Sequence, residues 1–167
     1  GATYTVTGSQ TLVGSSANSF TYDLNEGTKA DNYNITQSEG QLTVTNRNAK
    51  YEITVVAKRD SAKYDGDEHS VSGFETLSFE VEGNTYTVEG LSASASGTDA
   101  GEYTSNVTGT AVVKDSEGNI VTDQFSVKTQ AGKLTVEKRS VTLTSATDSK
   151  VYDGDPLINT NVTVGGD

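Results

Sequence analysis

The residues best suited to chemistry are carboxylates set in turns. Tyr64-Asp65-Gly66-Asp67, followed by Glu68, and Tyr152-Asp153-Gly154-Asp155 each place two acids around a glycine. Such oxygens could take calcium weakly. A dedicated calcium loop sets acids at alternate positions before its glycine, and that six-residue core is absent from both stretches. The simpler expectation is a turn in which Gly66 adopts positive φ, Asp65 bonds its own backbone and Tyr64 covers a small core. Asp65, Asp67, Asp153 and Asp155 are therefore weak calcium candidates, and no cofactor is expected. Asp115-Ser116-Glu117-Gly118-Asn119 also carries oxygen donors and reads as a hairpin loop.

Catalysis finds little to work with. Glycoside hydrolysis needs two carboxyl groups facing each other at about 5 to 10 Å across a cleft. The acids here fall in turns and on exposed strand faces, and tryptophan, the usual sugar platform, is absent. Without cysteine there is no thiolate nucleophile, disulfide or sulfur-bound metal. The single histidine, His69, reads as a solvated loop residue, and no Ser/His/Asp arrangement recurs. The expectation is a protein that is not an enzyme. Lysines 58, 63, 114, 128 and 133 together with strand asparagines make a Lys–Asn isopeptide crosslink conceivable, given a buried acid between them.

Charge excludes further classes. Twelve basic residues against 23 acidic ones give −11, which repels phosphate backbones and anionic lipid alike. Neither nucleic acid nor membrane insertion is expected, and Lys58-Arg59 and Lys138-Arg139 are too small for a basic patch. No apolar run approaches the roughly 20 residues of a membrane span. Mean hydropathy of −0.49 leaves only small cores.

The elements that position these groups recur along the chain. Ile53-Thr54-Val55, Asp60-Ser61 and Tyr64-Asp65-Gly66-Asp67 return 88 positions later as Val141-Thr142-Leu143, Asp148-Ser149 and Tyr152-Asp153-Gly154-Asp155. Glu39-Gly40-Gln41-Leu42-Thr43-Val44 pairs with Ala131-Gly132-Lys133-Leu134-Thr135-Val136, 92 positions on. Each copy follows an aromatic-x-β-branched pair, Tyr33 and Ile35 or Phe125 and Val127. Tyr4-Thr5-Val6-Thr7-Gly8 matches Tyr86-Thr87-Val88-Glu89-Gly90 at a distance of 82. The small differences in spacing belong in loops of a common scaffold. Residues 51–138 then form one complete unit, 1–50 the C-terminal half of a preceding one and 139–167 the N-terminal half of the next. A chain that starts at Gly1 without methionine is expected to be a window from a longer array.

Period-two alternation and β-branched content predict an all-β chain of tandem modules, each a small β-sandwich or a β-grasp-like sheet. The strands expected are Thr3–Thr7, Ser19–Leu24, Tyr33–Thr36, Gln41–Asn46, Glu52–Lys58, Thr76–Glu82, Thr85–Glu89, Gly101–Lys114, Asn119–Thr122, Gln124–Thr129, Lys133–Val136, Ser140–Ser145 and Asn161–Val164. Glu82-Gly83-Asn84 signals a tight hairpin, and Thr28–Asn32 allows one helical turn.

These motifs in this order, with Thr-Asp-Ala-Gly-Glu-Tyr at 98–103, resemble the MBG/YDG-type tandem repeats of bacterial cell-surface adhesins. The resemblance covers essentially the whole chain. One departure is Val13-Gly14-Ser15-Ser16-Ala17-Asn18-Ser19-Phe20, which replaces the Asp-Ala-Gly-Glu-Tyr form in the first piece. The resemblance implies an extracellular, cell-wall-anchored surface protein with a stalk or adhesion role, and no catalytic residues. The expected function is a non-enzymatic stalk repeat; the alternative is a module that binds host glycan or matrix protein. Expected partners are neighbouring units or head-to-tail copies of the chain.

Overall fold

A computed structural model of the chain describes residues 1–166. The last residue of the 139–167 piece, Asp167, lies outside the described residues. The fold is all-β, with two single 3-10 turns and no α-helix among the described residues. None of its helical segments is long or apolar enough to cross a membrane. The chain divides into two compact units, Gly1–Lys50 and Tyr51–Asp167.

The first unit holds β1 (Ala2–Val6), β2 (Gly14–Asn18), β3 (Phe20–Leu24) and β4 (Gly40–Val44), paired as two antiparallel ribbons, β1 with β3 and β2 with β4. In the β1–β3 ribbon Ala2 sits opposite Leu24, Tyr4 opposite Tyr22 and Val6 opposite Phe20. Residues directly opposite share a face, so all six apolar side chains line one side. Tyr33–Thr36, expected as a strand, is not one: a 3-10 turn at Ala30–Asn32 leads through an extended Tyr33 into chain that pairs with no strand. Its apolar alternation is right for a strand, but within the unit it has no neighbour to pair with.

The second unit runs through β5 (Tyr51–Val56), β6 (Arg59–Lys63), β7 (His69–Ser72), β8 (Ser78–Val81), β9 (Asn84–Gly97), β10 (Gly101–Ser105), β11 (Val107–Lys114), β12 (Phe125–Gln130), β13 (Gly132–Glu137), β14 (Val141–Ser145) and β15 (Val162–Gly166). Its spine is a parallel ribbon. Phe125 to Gln130 pair with Tyr51 to Val56, and Lys133 to Glu137 pair with Arg59 to Lys63, in one constant register. Midway the inward face changes hands. Ile53, Val55 and Ala57 are buried at odd positions, as is Phe125, whereas beyond Ala131 the buried residues are Gly132, Leu134 and Val136. The two backbones close up at this kink: a Cβ on Gly132 would lie 2.0 Å from the Lys58 carbonyl oxygen and 2.9 Å from that of Ala57. Only glycine fits there.

The kink lets one ribbon cover two cores. Ile53, Val55 and Phe125 pack on Val88 and Val113, with Phe79, Val81 and Tyr86 at the margin. Leu134 and Val136 pack on Val71, with Ala95 and Tyr103 beside them. The opposing layer is antiparallel, with β9 paired to β7, β8 and β11. Sheet lies on sheet, which is the sandwich alternative; a β-grasp would need a helix across its sheet. The Phe125 ring sits 4.8 Å, edge-on, from Tyr86 and 5.5 Å from Tyr51. The β8–β9 turn has positive φ at both Glu82 and Gly83, the type I′ geometry that matches strand twist.

Several expectations need correction. Asn119–Thr122 is not a strand; it contributes one bridge, Lys114 to Ile120, before a 3-10 turn at Thr122–Gln124. Gly101–Lys114 breaks at Asn106 into β10 and β11. Tyr64 does not cover a core: it is 39% exposed, and its counterpart Tyr152 is 94% exposed. The cores are filled instead by β-branched residues and Phe125. In the 139–166 segment, β14 and β15 pair only with each other, and Val141 and Leu143 stay exposed.

Candidate functional site

The Tyr-Asp-Gly-Asp stretches form turns built on their first aspartate. Asp65 Oδ1 accepts from the Asp67 N–H at 2.9 Å and lies 2.9 Å from His69 Nε2. Gly66 takes φ +92°, and nothing stands where its Cβ would be. The second copy repeats the design with a different cation: Asp153 Oδ1 accepts from the Asp155 N–H at 3.0 Å and from Lys150 Nζ at 2.7 Å. These donors favour the charged carboxylate. The Asp67 amide and then His69 hold Asp65 below the ordinary carboxylate range. Lys150 and then the Asp155 amide do the same for Asp153. Among the described residues no three acids or histidines converge on a metal-sized point. Asp67 and Asp155 supply their backbone N–H groups to the turns.

The hairpin loop after β11 is likewise closed on itself. Asp115 Oδ1 accepts from the backbone N–H groups of Glu117 and Asn119, and the Asn119 side-chain amide reaches both carboxylate oxygens. That amide is the main cause of Asp115's lowered pKa. Three of the five lysines named for a crosslink face glutamates on neighbouring strands: Lys114 to Glu89 at 2.7 Å, Lys128 to Glu52 at 2.9 Å, and Lys133 to Glu102. The one buried polar residue among those described is Ser105, so no buried acid stands ready to catalyse an isopeptide bond.

The motif at 98–103 has a packing explanation. Tyr103 folds back so that its ring occupies the space over Gly97, where a Cβ would lie 2.1 Å from Cζ. Its hydroxyl donates to the Asp99 carbonyl at 2.9 Å. Glycine, turn and tyrosine thus close the β9–β10 connection as one piece.

The strongest candidate for recognition is elsewhere, on the apolar face of the first unit. A groove of about 360 Å³ is lined by Ala2, Tyr22, Leu24, Thr28, Tyr33 and Ile35 among others. Tyr33 is 62% and Ile35 42% exposed. The sequence marks Tyr33 and Ile35 as a recurring pair, but its local pattern carries no sign of the groove. The signal is the repeat itself: Phe125 and Val127, at the matching positions, pair with β5, whereas Tyr33 and Ile35 pair with none of β1, β2 and β3, which precede them. Leu42 and Leu134 differ in the same way: Leu134 is buried and Leu42 is half-buried. Comparison with known protein families, curated proteins and solved structures gave no match.

Proposed function

We propose that the chain is a non-enzymatic structural repeat, a segment of the stalk of a bacterial cell-surface adhesion protein, acting outside the cell on a wall-anchored polypeptide. The observation that carries this reading is a sub-assembly found twice. The β2–β4 ladder runs from Gly14 opposite Val44 to Asn18 opposite Gly40, and the β10–β13 ladder from Gly101 opposite Val136 to Ser105 opposite Gly132. Both second strands follow an aromatic residue, Tyr33 or Phe125, that caps a one-turn 3-10 helix through its own N–H. Repetition extends reach and multiplies weak contacts, and it offers an active site nothing. The motifs of the sequence resemble surface-adhesin repeats, and the acidic, cysteine-free composition suits an extended, solvated array.

A second reading, binding of host glycan or matrix protein, is favoured by the groove with Tyr22 and Tyr33 in its wall. A glycan array and a mucin pull-down with the whole chain separate the two. The stalk role predicts silence in both, whereas saturable binding lost in Tyr33→Ala would replace it with the adhesin role.

A further inference from the structure

The groove of the first unit is walled mainly by apolar side chains, and the second unit shows a strand covering the corresponding face. There the corresponding apolar face is covered by the parallel strand β5, whose Ile53 and Val55 are buried against Val88, Val113 and Phe125. In the first unit the face of Ala2, Tyr4, Val6, Phe20, Tyr22 and Leu24 has no such cover; Tyr4 is 71% and Val6 55% exposed. An exposed strand-length apolar face beside unpaired backbone invites a further strand.

Gly40 identifies what should cover it. Its counterpart Gly132 is glycine because the carbonyls of Ala57 and Lys58 press against it. Around Gly40 the nearest atom to an added Cβ is Asn18 Cβ at 3.9 Å, and its φ is ordinary. Within its own unit nothing requires a glycine there; a crossing strand like β5–β6 would.

The chain contains a second copy of that strand. Val141, Leu143 and Ser145 stand where Ile53, Val55 and Ala57 stand in the repeat. Val141 is 63% and Leu143 68% exposed, and β14 has β15 on one edge only. The residues that follow, Thr147 to Val151, match β6 but form no strand.

We infer that the 139–151 segment of one molecule docks in parallel on the first unit of a second copy, rebuilding the β5–β12 and β6–β13 ribbon between chains. Transferring the observed register sets Ile35 opposite Val141, Leu42 opposite Asp148 and Val44 opposite Lys150. Gly40 then falls beneath the carbonyls of Ser145 and Ala146. Val141 and Leu143 fill the groove, and β4 becomes a central strand, as β13 is. The contact is heterologous, so it propagates head to tail into filaments or closes into rings. The inference rests on the repeat geometry of the proposed function and not on its surface role. A strict monomer would remove the assembly and leave the repeat standing, because the repeat is tested by whether 51–138 folds.

Cysteine crosslinking with the full chain tests it, since the chain has no cysteine of its own. Neighbouring strands lie about 4.8 Å apart, within disulfide reach. The double variant Ile35→Cys/Val141→Cys is expected to give a ladder of disulfide-linked oligomers under oxidation, and Ile35→Cys/Thr142→Cys, on the opposite face, is not. Sedimentation should show concentration-dependent assembly of the unsubstituted chain, lost in Gly40→Ala and in Leu143→Asp with unchanged circular dichroism. An unsubstituted 167-residue chain that stays monomeric at high concentration overturns the inference. So does a disulfide that closes within one chain, or assembly that survives Gly40→Ala unchanged.

Discussion

Tyr103 lies over Gly97 so closely that a Cβ at residue 97 would sit 2.1 Å from the phenol Cζ. The ring needs that space because it also reaches Asp99, fixing the turn into β10, and it borders the core of Val71, Leu134 and Val136. Gly97→Ala should therefore destabilise the second unit by about 1–3 kcal/mol, the usual cost of overpacking. Tyr103→Phe, which keeps the ring and drops one hydrogen bond, should cost about 0.5–1.5 kcal/mol. Urea denaturation of both variants checks the order; an unaffected Gly97→Ala would show that the ring is not anchored there.

The two glycines of the Gly-x-Leu-Thr-Val motif should behave differently. Gly132→Ala drives a methyl into the Lys58 carbonyl and should cost at least about 1–3 kcal/mol. Gly40→Ala meets no atom closer than 3.9 Å and should be neutral or stabilise the free chain by about 0.4–1 kcal/mol through the unfolded state. Thermal melts of dilute protein distinguish these outcomes, and equal losses would contradict the packing described at Gly132.

Acid should act through three turns. Asp65, Asp115 and Asp153 are all held below the ordinary carboxylate value, by the Asp67 amide, the Asn119 side chain and Lys150 respectively. A carboxylate whose pKa is lower when folded leaves the unfolded chain binding more protons in the acid range. Its contribution is therefore in place above the unfolded value of about 3.9 and is lost as pH falls through the folded value. Carboxyl-carbon NMR titration should give three midpoints below that of a free aspartate. In His69→Ala the Asp65 midpoint should rise but stay low, because the Asp67 amide remains. Three ordinary midpoints would contradict the hydrogen bonding seen here.

Calcium should leave the melting temperature unchanged. Asp65 Oδ1 and Asp153 Oδ1 are already engaged by turn amides and by His69 or Lys150. A specific site would raise stability with ligand excess. Melts in EDTA and in excess calcium test this; a rise abolished by Asp65→Ala and Asp67→Ala would contradict it.

Alternation made most of the strands legible, because Ile53 and Val55, Phe125 and Val127, or Leu134 and Val136 put large apolar groups at every second position. It failed where the inward residues are small. β9 runs on through Leu91-Ser92-Ala93-Ser94-Ala95-Ser96-Gly97, and Ala93 is buried, but a serine–alanine alternation carries little hydrophobic contrast. β2 and β6, Gly-Ser-Ser-Ala-Asn and Arg-Asp-Ser-Ala-Lys, are hidden for the same reason, and β7, His-Ser-Val-Ser, because its one buried apolar residue, Val71, makes no alternation. The parallel ribbon was hidden differently: its strands are far apart in sequence, and register between distant segments is set by packing and not by local pattern. Tyr33–Thr36 shows the converse. Its pattern is that of a strand, yet pairing needs a neighbour, and the groove exists because the first unit lacks one. The candidate turns were readable because glycine and aspartate dictate backbone locally, whereas the groove emerges only when two ribbons and an unpaired segment are assembled.

The central claim is that residues 51–138 are one complete module, and both cores draw every member from that span. Expressed alone, this segment should give a dispersed amide NMR spectrum and a single cooperative urea transition. A random-coil spectrum from 51–138, with the 167-residue chain folded under the same conditions, would contradict the claim.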